Sequence, residues 1–313
     1  MKFRTEFIPV RSEITLRPEL PLLTIGSCFA DNISARMRSS MWDAENPLGV
    51  QYNPWAMLKI LQLSIFPDNT DASFQTTLFE ANGLTHSWLL DSSGSAPTRS
   101  EAIAKFVQRR RRLTDMLAAS QVLFVTFGTL NCFLLKDRTV VANCHKQQQA
   151  LFSRERLSID ETVRLWDGFI TDLRMRYPRL KVVFTVSPVR HVRDGLTENW
   201  LSKAGLRVMI EEICHRQDCC SYFPAYEILN DDLRDYRFYA SDLVHPSDQA
   251  VEYIWEILKQ TYLDEAGLEY LREGEALMRR AGHRPILMSP GQYADYRLET
   301  DRLIAEFKAR HSR

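Results

Sequence analysis

Three short apolar runs constrain this chain more than anything else in it: Leu22-Leu23-Thr24-Ile25, Val122-Leu123-Phe124-Val125-Thr126-Phe127 and Lys181-Val182-Val183-Phe184-Thr185-Val186. They end on Gly26, Gly128 and Ser187-Pro188. A continuous apolar run bounded by turn residues reads as a strand buried on both faces, the habit of parallel sheets. Between and after the runs lie amphipathic stretches of crossover length, at about Ser100 to Ala119, Asp160 to Tyr177 and Glu198 to Arg216. The second carries Val163, Trp166, Phe169, Ile170 and Leu173 on one face and stops before Pro178. Strands alternating with such helices predict an α/β protein with a parallel sheet and helices on both faces.

The remaining segments fit around that frame. Phe29, Ile33, Met37 and Met41 recur at helical spacing directly after Gly26, and Pro54 opens a helix carrying Trp55, Leu58, Leu61 and Ile65. Residues 66–99 mix turn formers with Phe74, Leu78, Phe79 and Trp88, which predicts an inserted hairpin. A short strand is expected near Cys220 to Phe223, then a helix capped by Ser247. From Asp264 onward only helical periodicity is left. The reading is one domain over 1–313, with a core at about 18–263, an insertion at about 66–99 and a helical extension at about 264–313.

Composition narrows the function classes. Lys plus Arg total 40 and Asp plus Glu total 40, so no net field draws nucleic acid or an anionic membrane. The run Arg109 to Arg112 sits in a helical pattern and reads as a solvated face. The start has no apolar leader and no run is long enough to span a membrane, so a cytoplasmic protein is expected. Six cysteines without a C-x-x-C pair fit reduced thiols, and the cluster Cys214, His215, Cys219 and Cys220 matches no usual zinc spacing. No phosphate-binding glycine motif is present, so neither cofactor nor metal is expected. Oligomeric state is left open.

Two places carry candidate chemistry. Ser27 stands where the first strand turns into a helix, and unpaired N–H groups at a helix N-terminus favour a developing oxyanion. The bland reading is a helix cap. Cys28 shares that terminus and is the alternative nucleophile, the bland reading being a buried, inert thiol. Residues on opposite sides of the turn cannot both face one base. That base is expected in Asp242-Leu243-Val244-His245-Pro246, where Pro246 keeps His245 out of a helix. A loop there faces the crevice beyond the first strand, so His245 can accept the Ser27 proton while Asp242 fixes its tautomer.

With those residues in view, the sequence resembles the GSCFA-domain family, a branch related to the SGNH or GDSL-like hydrolases. Gly26-Ser27-Cys28-Phe29-Ala30 matches the signature behind the name. Similarity continues through Asn46 to Gly49, Asn143-Cys144-His145-Lys146, Ser187 to His191, Ser202-Lys203-Ala204, Tyr222 to Glu227, Leu233 to Ala240 and Asp242 to Pro246. The resemblance implies a flavodoxin-like three-layer α/β/α fold and a catalytic triad of Ser27, Asp242 and His245. It implies cleavage or transfer of esters, commonly acyl groups on carbohydrates or lipids.

One departure stands out: the wider superfamily has Gly-x-Asn after its third motif strand, whereas Gly128 is followed by Thr129, Leu130 and Asn131. The backbone N–H groups of Ser27 and Gly49 are the first candidate oxyanion donors, and Asn143 the preferred third, with Thr129 and Asn131 as alternatives. His145, His191, Lys203 and Arg237 are candidate substrate contacts, structural roles being the other reading. The expected function is a serine hydrolase acting on a small-molecule or carbohydrate ester through an acyl-Ser27 intermediate. The rivals are an acyltransferase with the same triad and a binding module that has lost catalysis.

Overall fold

The computed structural model describes residues 4–66, 70–283 and 286–311. In chain order the elements are β1 (Leu22–Gly26), α1 (Cys28–Arg38), β2 (Ala44–Glu45), α2 (Pro54–Ile65), α3 (Thr70–Gln75), β3 (Leu78–Ala81), β4 (Leu84–Ser87) and α4 (Arg99–Ala119). There follow β5 (Val122–Phe127), β6 (Asn131–Leu135), β7 (Val140–Val141), β8 (Phe152–Arg156), α5 (Ile159–Arg176), β9 (Lys181–Val186) and α6 (Leu196–Arg216). The chain ends with β10 (Cys220–Tyr222), α7 (Ala225–Glu227), α8 (Asp248–Tyr262), α9 (Glu265–Gly282) and α10 (Pro290–His311).

Five strands form a parallel sheet in the order β10-β9-β5-β1-β2. Counted along the chain, that order is the flavodoxin-like 2-1-3-4-5. The two faces separate by the period of a strand. Leu23 and Ile25 of β1, Leu123, Val125 and Phe127 of β5, and Val182, Phe184 and Val186 of β9 pack with α2, α4, α5 and α6. Leu22, Val122, Phe124 and Val183 point the other way, into a second core with α1, α8, α9 and α10. The expected three layers are therefore present, and the sheet is covered on both sides.

The chain goes from β1 to β2 on one side, then crosses back to β5 on the other. A crevice consequently opens beyond the carboxyl ends of β1 and β5, where such sheets place ligands. Caps fix the helices that meet it: the Ser27 hydroxyl accepts from the Phe29 N–H at α1, and Asn53 caps α2 by accepting from the Ala56 N–H.

The insertion holds a hairpin, β3 with β4, turning through Asn82 and Gly83 at φ 52° and 74°. Asn-Gly with both residues at positive φ suits a tight hairpin turn. Residues 67–69 of the predicted insertion lie outside the described residues. One sheet exceeds the expectation: β7-β6-β8 is antiparallel, whereas only the stretch around Val140 to Ala142 reads as a strand in the sequence. In β6 Cys132 and Leu134 face the core while Asn131, Phe133 and Leu135 alternate outward. Strand β8, Phe-Ser-Arg-Glu-Arg, carries a single apolar residue and so escapes hydrophobic pattern recognition.

Candidate active site

Asp242 and His245 sit on a loop closed by the bridge between Tyr239 and Pro246, just ahead of α8. His245 Nδ1 lies 2.6 Å from Asp242 Oδ2, and both side chains are about half exposed. The other carboxylate oxygen accepts the backbone N–H groups of Val244 (2.9 Å) and His245 (3.0 Å). Those N–H groups, that of His245 first, and the imidazole hold the Asp242 carboxyl down at about 2. An ionised carboxylate on Nδ1 leaves Nε2 as the nitrogen available to a substrate. Arg190 steadies the loop: its backbone N–H donates to Val244 O (3.1 Å), and its guanidinium carbon lies 3.8 Å from the Tyr239 ring centre.

The turn after β1 is tight. Gly26 has φ 142°, and a Cβ there would stand 2.3 Å from the Thr126 carbonyl oxygen on β5. That close approach requires glycine. Ser27 follows with no exposed surface. Its N–H donates to Thr126 O (3.3 Å), and its hydroxyl donates to Ser187 Oγ (3.0 Å) at the end of β9. No hydrogen bond joins Ser27 to His245 among the described residues, and Ser27 does not line the cleft.

Cys28 does. It borders a cleft of about 310 Å³ together with His245, His191, Tyr52 and Thr129. The neighbouring side chains thus point to opposite sides of the turn, as the sequence reading requires, but with the sides exchanged. Burial, and then the charge of Asp31, push the Cys28 thiol up, while the N–H groups of Cys28 and Phe29 and the ammonium of Lys203 oppose them. The thiol is therefore neutral at rest and needs a base to become a nucleophile.

The other predicted residues divide sharply. Asn131 and Thr129 line the cleft, and Thr129 Oγ1 already pairs with Ser202 Oγ and accepts the Asn131 N–H. Asn143 is not among the lining residues; its Oδ1 accepts the His145 N–H (2.8 Å). Gly49 donates its N–H to Asn46 O (3.2 Å) and borders a different depression, beside Asp91. His145 is buried against Ser87 O and Leu90 O, away from the cleft. Arg237 is exposed and bound to Asp235, also outside it.

Lys203 is 1% exposed beneath the cleft and donates to Gly128 O and Ser187 O, each at 2.7 Å. His191 lines the cleft edge-on to Tyr52, with ring centres 5.5 Å apart. A Cβ built on Gly128 would stand 3.0 Å from His191 Nε2, and that nitrogen has no hydrogen-bond partner among the described residues. Burial first, then the charges of Lys203, Arg154 and His245, push the His191 imidazole down to about 3, so it is neutral.

Sequence reasoning missed Arg154 and Arg193, which also line the cleft. Their strands and turn carry almost no apolar signal. Among the described residues, no group of three or more His, Cys, Asp or Glu side chains is placed to hold a metal ion. No helix among them is long and apolar enough to cross a membrane.

A flavodoxin-ordered α/β sheet with an Asp-His pair and a helix N-terminus at its switch point defines the class of molecule. The chain belongs to the GSCFA family, whose model matches residues 21–257. A search of curated proteins returned no match. Solved structures it resembles include a candidate platelet activating factor from Streptococcus pneumonia, at 12% identity and TM-score 0.40, over 77% of this chain and 83% of that one. Another is a Corynascus thermopiles carbohydrate esterase family 2 enzyme with a carbohydrate binding domain, at 11% identity, TM-score 0.37 and 80% and 67% coverage. A third is an acetyl xylan esterase from Butyrivibrio proteoclasticus, at 11% identity, TM-score 0.36 and 81% and 65% coverage.

Proposed function

We propose that this protein is a hydrolase of acyl esters that works through a covalent acyl intermediate, with Cys28 as nucleophile, His245 as base and Asp242 as the group that orients it. The observation that carries the reading is that Cys28, at the first position of α1, and His245, held by Asp242, border one cleft. The Cys28 sulfur attacks the ester carbonyl carbon and its proton passes to His245 Nε2. The tetrahedral adduct collapses, the carbon–oxygen bond breaks, and His245 returns the proton to the departing alcohol. Water, deprotonated by His245, then cleaves the thioester, releasing the acid and restoring the thiol. Because the thiol is neutral at rest, proton transfer belongs to the attack itself. The neutral His191 imidazole, as its Nε2–H tautomer, is the side-chain donor we assign to the oxyanion, since its Nε2 has no hydrogen-bond partner among the described residues and Asn143 does not line the cleft.

A second reading keeps Ser27 as the nucleophile, in line with its place at the strand-to-helix turn. It requires the hydroxyl to leave Ser187 and turn into the cleft. Passage of the acyl group to a sugar or another alcohol instead of water uses the same groups.

Hydrolysis of p-nitrophenyl acetate separates the readings. Cys28→Ala and His245→Ala should each fall to near background, and Asp242→Asn should retain more than either. Ser27→Ala should stay within about tenfold of wild type, because it loses a helix cap of about 1 kcal/mol and no reacting atom. Mass spectrometry after iodoacetamide should find the label on Cys28, quenched by substrate. Full activity in Cys28→Ala with loss in Ser27→Ala would transfer the role to the serine, and full activity in both would end the covalent mechanism.

A further inference from the structure

The walls of the cleft carry charge of one sign. Arg154, Arg190 and Arg193 line it, and no Asp or Glu does among the described residues, in a chain whose basic and acidic residues are equal in number. The placement follows from the strands. Phe133 on β6 is the direct cross-strand partner of Arg154 on β8, so both project from the same face. The Arg154 guanidinium carbon lies 5.4 Å from the Phe133 ring centre. From the turn after β9, the Arg193 guanidinium carbon approaches the same ring to 5.6 Å. One aromatic ring thus brings two cations together. Partial burial first, and then the charge of Arg193, push the Arg154 guanidinium down from its ordinary value, with the charge of Glu198 opposing them. Arg190 is committed to the His245 loop, and neither it nor Arg193 forms a salt bridge among the described side chains.

The bland account of an exposed arginine is a solvated surface. It does not explain two guanidiniums converging on one ring inside the concavity that holds Cys28 and His245. Guanidinium forks bind carboxylate and phosphate in two-point fashion, and two of them meet on one wall of this cleft.

We propose that the substrate is an ester carrying a second, negatively charged group, a carboxylate or a phosphate, which Arg154 and Arg193 hold while the ester lies at Cys28. This deepens the hydrolase reading and rests on it for the word substrate, but anion binding can be measured without turnover. The probes are succinamate and its neutral analogue succinamide, whose amides resist ester chemistry, and inorganic phosphate, each followed by titration calorimetry. Wild type should bind succinamate or phosphate at least tenfold more tightly than succinamide, and the affinity should weaken between 50 and 300 mM salt. Arg193→Gln and Arg154→Gln, both at exposed positions and checked for folding by circular dichroism, should each lose at least fivefold. Arg176→Gln, on α5, should lose nothing. Preference for succinamate identifies the charged group as a carboxylate, and preference for phosphate identifies it as a phosphate.

Equal binding of succinamate and succinamide together with no phosphate binding would overturn the proposal, as would affinities indifferent to both arginine changes. Esterase assays on the same samples keep the two ideas apart. Arginine-dependent anion binding without any ester cleavage would end the hydrolase reading, whereas cleavage without it would end this one.

Discussion

A single buried ammonium ties the cleft floor together. Lys203 bridges Gly128 O at the end of β5 and Ser187 O at the end of β9, and Ser187 in turn receives the Ser27 hydroxyl. Burial pushes its pKa down to about 7. An unfolded lysine holds its proton to about 10.4, so between these values the unfolded chain binds more protons and stability rises with pH. Below about pH 7 the cost of the buried charge is fully present; above about pH 10 it is gone. Lys203→Met lacks the titration, so the melting temperature of wild type relative to this variant should climb from pH 7 to pH 9.5. A difference that stays flat over that range would mean an ordinary lysine. The direction of the Ser27 and Cys28 side chains was not legible in the sequence for a related reason. It depends on Gly26 at φ 142° and on the Ser27 partner Ser187, which lies 160 positions away. His191 was legible as a candidate, but its orphaned Nε2 emerges only from packing.

At the scale of elements, Gly26 has little room to change. Strands β1 and β5 are hydrogen-bonded neighbours, so the Thr126 carbonyl cannot retreat from an added methyl group without breaking the ladder. Gly26→Ala should lower unfolding free energy by about 3 kcal/mol, combining a strained φ with a backbone clash. Urea denaturation measures it, and a loss under about 0.5 kcal/mol would show that the turn adapts. Elements that bury a regular apolar pattern were readable from sequence to within a few residues: the predicted helix at about Asp160 to Tyr177 is α5, Ile159–Arg176, and the run Val122 to Phe127 is β5. Strands β6 and β8 were not, because their order comes from pairing to each other across a loop. Their outward residues serve the cleft, so hydrophobic alternation is thin where the site needs Arg154.

Across the whole molecule, the family match ends at residue 257, yet the packing continues past it. Tyr270, Leu271 and Leu277 of α9 and Phe307 of α10 share a core with Met37, Trp42 and Tyr262. The Tyr270 hydroxyl donates to Met41 O (3.1 Å), and α9 approaches so closely that a Cβ on Gly274 would stand 2.1 Å from Ser40 O. Burying each such side chain is worth about 2 kcal/mol before the entropy of ordering the helices is subtracted. Deleting residues 264–313 should therefore cost several kcal/mol, lower the melting temperature and expose a dye-binding apolar face; an unchanged melting temperature would make the two helices an appendage. The small sheet β7-β6-β8 reaches the core through Cys132 and Leu134 but pairs with no strand of the parallel sheet. It hydrogen-bonds within itself and lends the cleft Phe133 and Arg154. Changes at Phe133 and Arg154, on its cleft side, leave the β1–β5 and β5–β9 pairing untouched. The small sheet is thus a panel where one wall of the cleft can be altered while the strand pairing beside Gly26 stays as it is.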